Sequence, residues 1–227
     1  MHMILIKRIL KTPFLWLIIP VILMYFACNG YGFVFRAAVT GSCLIISAVL
    51  FYKRLRQNPD VWYVLVAFVF SIIGDWFMSH KGSSFVLFSS GVGAFFLAHV
   101  GFLVFALKNG RIKKVFTAVV LAVYLVFFAF WLYPAIESTL LLVSVLLYLL
   151  ISCISLGAAL GINTSPVVRW GFFIGIALLF FSDTIIAFRE FASLPQLSFL
   201  ILPTYFASHI FVTFALIQKA IINKNET

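Results

Sequence analysis

The chain has 227 residues, of which 64% are hydrophobic and only 10% are charged. A soluble domain carries about a quarter charged residues, so this composition excludes a soluble globular protein and indicates an integral membrane protein. The net charge of +10 does not point to a nucleic-acid partner, because the Lys and Arg residues of a membrane protein gather in its cytoplasmic loops.

The apolar residues form eight segments, separated by turn-forming pairs such as Asn29-Gly30 and Ser165-Pro166. Each segment is near the length that a helix needs to cross about 30 Å of hydrocarbon, and none alternates polar and apolar residues as a barrel strand does. The sequence therefore predicts an all-α fold, a polytopic bundle of about eight transmembrane helices in one membrane domain over residues 1–227. The predicted spans are Pro13 to Cys28, Phe33 to Tyr52, Val61 to Ser79, Phe85 to Leu107, Val115 to Leu132, Thr139 to Leu160, Val167 to Phe188, and Leu197 to Ile217.

The first segment is the shortest, and Pro20 interrupts it. It follows three cations, as the apolar region of a signal peptide does. Tyr25 and Phe26 are too bulky for the small-residue cleavage site of such a peptide, and many more spans follow. We therefore expect an uncleaved first helix.

The distribution of cations predicts the orientation. One side of the membrane receives thirteen of them, namely Lys7, Arg8, Lys11, Lys53, Arg54, Arg56, Lys108, Arg111, Lys113, Lys114, Arg169, Lys219 and Lys224. The opposite side has only Arg36, Lys81 and Arg189. Because cytoplasmic loops carry the excess of Lys and Arg, both termini are expected in the cytoplasm. The expected location of the protein is the cell (inner) membrane.

The second half of the chain is a candidate repeat of the first. The spacing from Asp75 to Asp183 equals that from Lys81 to Arg189, and His99 and His209 are separated by nearly the same distance. Four spans in each half would make two parallel repeats, an architecture known in membrane proteins. Chance agreement among a few polar residues is the alternative.

Two aspartates lie within predicted spans, where an ionisable group costs several kcal/mol unless it is paired or hydrated. Asp75 is about five residues from the outer end of span three, and Asp183 lies at a similar depth in span seven. Both spans run in the same direction, so the two carboxyls are expected at matching heights. Ser71 is one turn below Asp75, and Ser182 precedes Asp183. The aspartates are candidate functional groups, and interhelical hydrogen bonding is the structural alternative.

Other polar residues are less specific. By helical rise, His99 and His209 lie about 10 Å deeper than the aspartates, so a direct Asp–His contact would need a tilted or broken helix. Tyr148 falls on a polar stripe of span six, and Tyr205 belongs to a polar group in span eight. Such stripes line cavities or bond their own helix backbone. No metal-binding motif is present in the sequence, and neither a metal nor a cofactor is expected.

Four short motifs occur in order from span three to span eight. They are Phe70-Ser71-Ile72-Ile73-Gly74-Asp75, then Phe88-Ser89-Ser90-Gly91 leading to Phe96-Leu97-Ala98-His99, then Gly175 through Phe181-Ser182-Asp183, and last Tyr205-Phe206-Ala207-Ser208-His209. Together they resemble the signatures of the YhhN/TMEM86 family, the lysoplasmalogenases. The resemblance implies hydrolysis of the vinyl ether bond of a lysoplasmalogen, which gives a fatty aldehyde and a glycerophospho-alcohol. It also implies that Asp75 and Asp183 are the catalytic pair.

The implied chemistry suits two carboxyls. Vinyl ether hydrolysis needs a proton on carbon and then attack by water on an oxocarbenium-like species, the problem that glycosidases solve with one protonated and one ionised carboxyl. The cations of the outer side, Arg36, Lys81 and Arg189, are candidates for holding the substrate phosphate, although snorkelling at the interface also explains them. The candidate substrate-binding residues are Ser71, Ser182, His99, His209, Tyr148, Tyr205, Lys81 and Arg189.

Two other readings remain. A transporter or proton-coupled carrier would use Asp75 and Asp183 as relay groups. A structural membrane protein would use them only to bond neighbouring helices. The expected partners of the enzyme are its lysolipid substrate and the bilayer.

Overall fold

The computed structural model describes residues 13–192 and 194–225, and over these it is a bundle of α-helices. The predicted cations Lys7, Arg8 and Lys11 lie outside the described residues. The helices are α1 (Ile18–Cys28), α2 (Phe33–Phe51), α3 (Val61–His80), α4 (Phe85–Lys108), α5 (Lys114–Phe127), α6 (Thr139–Ala159), α7 (Pro166–Phe191) and α8 (Ile201–Asn225). All eight predicted spans are helical, which confirms the fold class.

Seven helices of the described chain are long and apolar enough to cross a membrane, so the protein is a multi-pass membrane protein. The first apolar helix, Pro13–Cys28, is shorter. It begins as a 3-10 helix over Pro13–Leu17 and continues as α1. Pro20 lies in the first turn of α1, where a missing backbone N–H costs no helical hydrogen bond. The change of helix type falls in the turn just before Pro20, where the proline ring restricts the backbone, and this agrees with the predicted interruption.

Local chemistry sets several helix ends. Ser84 and Ser138 precede α4 and α6, and each hydroxyl accepts a hydrogen bond from the backbone N–H three residues on. This satisfies an N–H group that the first helical turn leaves free. Gly30 and Gly32, in the turn between α1 and α2, have φ of 82° and 90°, a left-handed backbone that other residues rarely adopt.

The two halves of the bundle use the same packing partners. In the first half α3 packs most extensively on α4, and in the second half α7 does so on α8. Across the halves, α4 packs on α6 and α8 packs on α2. Gly175 allows α7 to approach α8 closely, because an added Cβ would lie 2.9 Å from the carbonyl oxygen of Ser208. The packing has the pattern that parallel repeats require, and gene duplication itself stays a prediction.

A polar cluster joins α3, α4 and α8 at the side predicted to be cytoplasmic. The amide of Asn109 donates to Asp60 at 2.8 Å, and Lys219 donates to the amide oxygen of Asn109 at 2.7 Å. Lys219 also pairs with Asp60. The sequence analysis places Lys219 beyond the end of span eight, among the cytoplasmic cations. In the structure α8 continues past Lys219, which is only 7% exposed.

Candidate functional site

A polar cavity lies where α3 and α7 end and where α2 and α8 begin. Its volume is about 100 Å³. Asp75 of α3 and Asp183 of α7 both line it, together with Arg36, Arg189 and Tyr205. The remaining lining is apolar. The structure thus brings the two intramembrane carboxyls to one cavity. This cavity lies near the face that the distribution of cations assigns to the outside.

Asp183 is paired with a histidine. Nε2 of His99 lies 3.0 Å from Oδ2 of Asp183, and the two side chains are 1% and 14% exposed. Because a carboxylate oxygen accepts, Nε2 carries the proton of this hydrogen bond. The pair joins α4 to α7 inside the bundle.

The sequence analysis overestimated the depth difference between Asp183 and His99. It counted depth from predicted helix ends and placed the end of span seven at Phe188, whereas α7 continues almost one turn further, to Phe191. Asp183 is therefore about 4.5 Å deeper below its helix end than expected. A residue count also leaves out the length of the two side chains, which reach one another across the remaining difference.

Asp75 has a drier environment than Asp183. It is 6% exposed, and its Oδ2 atom is buried without a hydrogen-bond partner among the residues that the structure describes. The hydroxyl of Tyr205 is its polar neighbour from α8. That hydroxyl also donates to the backbone carbonyl of Ser71 at 3.4 Å. Ser71 thus contributes through its backbone, one turn below Asp75.

Each aspartate therefore has a tyrosine beside it. The hydroxyl of Tyr148 on α6 is adjacent to Asp183, as that of Tyr205 is to Asp75. The ring of Tyr148 lies edge-on to that of His99, with 5.2 Å between centroids. The polar residues of span six therefore have different partners. Ser152 donates to the carbonyl of Tyr148 on its own helix, whereas the hydroxyl of Tyr148 faces Asp183.

Ser182 and His209, which the sequence analysis placed at the site, neither line the polar cavity nor hydrogen-bond an aspartate. Ser182 is fully buried and donates to the carbonyl oxygen of Ile201 at 3.0 Å, which ties α7 to the start of α8. His209 donates from Nδ1 to the carbonyl oxygen of Tyr205 at 2.9 Å, and its ring packs against Phe68. His209 supports the helix turn that carries Tyr205 and is not among the residues that line the cavity.

The cations of the outer side are arranged differently from the prediction. Glu190 accepts from Arg189 at 2.6 Å and from Lys81 at 3.1 Å. Lys81 is not among the lining residues, whereas Arg36 is, and Arg36 donates from Nη1 to the hydroxyl of Ser79 at 3.2 Å. The cavity thus presents the guanidinium groups of Arg36 and Arg189.

Two apolar cavities, each of about 60 Å³, also reach Asp183. The outer apolar cavity lies between α3, α4, α6 and α7 and is bounded by Met78, Phe88, Val92 and Phe191. The inner apolar cavity lies between α5, α6 and α7 and is bounded by Phe127, Leu132, Leu149, Ser152 and Phe180. Asp183 thus lines the polar cavity and both apolar cavities.

Within residues 13–192 and 194–225, no three His, Cys, Asp or Glu side chains come together in a way that could hold a metal ion. The polar groups of the cavity are two carboxyls, two guanidinium groups and a phenol. This set can donate a proton, accept a proton and bind an anion.

The fold and this cavity define the class of protein. It is a multi-pass helical membrane protein with two carboxyls facing one internal cavity near a membrane face. The sequence profile of the YhhN family matches residues 32–216, and the chain belongs to that family. The match covers α2 to α7 and most of α8. No curated protein and no solved structure matches the chain significantly.

Proposed function

We propose that the protein hydrolyses the vinyl ether bond of a lysoplasmalogen-like lysolipid, releasing a fatty aldehyde and a glycerophospho-alcohol. One observation carries the proposal: Asp75 and Asp183 line the same cavity in two different environments. Membership of the YhhN family is consistent with it.

The environments suggest a division of roles. Burial in an apolar surrounding favours the neutral form of a carboxyl, and Asp75 is the drier of the two. Asp75 is therefore the proposed acid. Asp183 accepts a hydrogen bond from His99, which suits an ionised carboxylate, and it is the proposed base.

The reaction then balances as follows. Asp75 gives its proton to the vinyl carbon that is not bonded to oxygen, and the adjacent carbon becomes an oxocarbenium centre. A water molecule attacks the oxocarbenium carbon through its oxygen, and Asp183 takes a proton from that water. The product is a hemiacetal. The hemiacetal loses its hydroxyl proton to the Asp75 carboxylate while its C–O bond to the glycerol breaks, and the proton on Asp183 passes to the leaving oxygen. One water is consumed, and both carboxyls return to their starting states.

The test is aldehyde release by the purified protein in detergent from a lysoplasmalogen. A hydrolase works in detergent, whereas a carrier needs a sealed compartment to accumulate a solute. Aldehyde release proportional to protein supports the proposal. Solute accumulation in proteoliposomes without aldehyde release would favour the carrier.

Substitution of the cavity arginines is expected to weaken substrate binding. Arg36→Ala and Arg189→Ala should each raise the KM for the lysolipid about tenfold with little change in kcat, because each removes a charge-assisted hydrogen bond to phosphate. Lys81→Ala should have a smaller effect, since Lys81 does not line the cavity.

The matched control is Lys53→Ala, which removes an exposed cation from the opposite side of the membrane. Steady-state kinetics with one lysolipid measures all four variants. An unchanged KM in both arginine variants would rule out phosphate binding at this cavity.

The proposed location is the cell (inner) membrane, with both termini in the cytoplasm. A fluorescent protein fused to the carboxyl terminus is therefore expected to fluoresce, and alkaline phosphatase fused there should be inactive. The turn that holds Lys81 and Gly82 should be labelled by impermeant reagents from outside once it carries a cysteine. The opposite result at both places would reverse the orientation.

A further inference from the structure

We propose that the inner apolar cavity binds the hydrocarbon chain of the substrate, with the reacting bond at Asp183 and the headgroup in the polar cavity. This inference rests on the proposed function, which it deepens by assigning the place of the chain. Asp183 lines both cavities, so a molecule with a polar head and a single chain that occupies them together can place its reacting bond at this carboxyl.

Depth favours the inner cavity over the outer one. Along α7 the inner cavity extends from Ala187 past Asp183 to Phe180, toward the middle of the membrane, and on α6 it reaches Ser152. The outer apolar cavity extends the other way, from Asp183 to Phe191 at the end of α7. A lysolipid whose phosphate lies near Arg189 has its chain pointing toward the membrane centre, which is the direction of the inner cavity.

The wall of the inner cavity faces the bilayer. Its outer side is α5, whose segment Lys114–Ala135 has the smallest buried share of the seven long helices. The wall includes Leu132, in the π-helical turn Phe128–Leu132 that follows α5. Such turns interrupt regular helical bonding and are frequent at functional sites.

A side-chain hydrogen bond joins this wall to α7. The hydroxyls of Tyr124 and Thr184 are 2.8 Å apart, and both residues line the inner cavity. Parting of α5 from α7 at this bond would open the cavity to the bilayer, so a chain can arrive sideways from the lipid without crossing water.

The cavity is expected to select chains by shape. A chain that moves from lipid into the protein gains little from the hydrophobic effect, because both surroundings are apolar. Overfilling a packed apolar space, by contrast, is unfavourable because it forces side chains out of their preferred conformations. Reducing the cavity should therefore discriminate against long chains more than short ones.

The first experiment locates the chain without hydrolysis. The full-length protein is irradiated with a lysolipid that has an alkyl ether in place of the vinyl ether and a diazirine at the chain end. Mass spectrometry should find adducts on the inner-cavity segments of α5 and α6, around Phe127 and Leu149, that excess unlabelled lysolipid removes. Competed adducts around Phe88 and Val92, or no competed adducts at all, would overturn the proposal.

The second experiment uses matched filling variants. Ser152→Leu fills the inner cavity and loses only a hydrogen bond to its own helix, whereas Val92→Phe fills the outer apolar cavity. Ser152→Leu should lower kcat/KM for a long-chain substrate roughly tenfold relative to a short-chain one, and Val92→Phe should leave that ratio unchanged. The reverse pattern would assign the chain to the outer apolar cavity.

The two proposals fail in different ways. Competed labelling of the inner cavity by a wild-type protein that releases no aldehyde would keep the chain site and reject the hydrolysis. Aldehyde release together with labelling of the outer apolar cavity would keep the hydrolysis and reject this chain site.

Discussion

Asp75→Asn and Asp183→Asn are each expected to lower the kcat for aldehyde release by roughly 10²- to 10⁴-fold. Asparagine has the size of aspartate and still forms hydrogen bonds, but it neither donates a proton as an acid nor accepts one as a base. Asp75→Asn removes the proton that goes to the vinyl carbon. Asp183→Asn removes the group that activates water, although the asparagine can still accept from His99.

Asp60→Asn is the matched control for these variants. Asp60 is also an aspartate in contact with α8, but it pairs with Lys219 at the far end of α3 from the cavity. Its replacement should lower thermal stability more than kcat. Far-UV circular dichroism and a thermal melt of each purified variant establish that the protein is folded. Wild-type kcat in a folded Asp75→Asn or Asp183→Asn variant would mean that this carboxyl only bonds neighbouring helices.

Replacement of His99 by alanine is expected to lower kcat about 10- to 100-fold while KM changes little. His99 is a positioning residue, because it holds Asp183 through one buried hydrogen bond and does not line the polar cavity. Loss of a hydrogen bond to a charged group costs about 1.5–3 kcal/mol, which corresponds to this range of rates. The carboxyl of Asp183 would then be free to turn away from the reacting water.

His99→Gln separates positioning from bulk packing. A glutamine amide can donate to Asp183, so this variant should recover part of the kcat that His99→Ala loses. His209→Gln is the comparison, since His209 is equally buried but bonds the backbone of Tyr205 instead of an aspartate. It should affect the melting temperature more than kcat. Equal loss of kcat in His99→Gln and His99→Ala would reject a role for the N–H donor.

The helices follow from local sequence alone. Eight apolar segments predict them because the requirement is local: a chain in hydrocarbon must satisfy its own backbone hydrogen bonds over a fixed thickness. The two intramembrane aspartates were found in the same way, since an ionisable residue is conspicuous in an apolar segment.

Which polar groups meet depends on how the helices pack. The contact of His99 with Asp183 depends on how far α7 extends and on which helices are neighbours, and the residues of a single helix do not determine either. The pairing of Glu190 with Lys81 and Arg189 joins the ends of α3 and α7, which are far apart in the chain. The inner apolar cavity likewise exists only between α5, α6 and α7. Each of these features is set by the packing of helices against one another, whereas hydropathy reports only the preference of each segment for lipid.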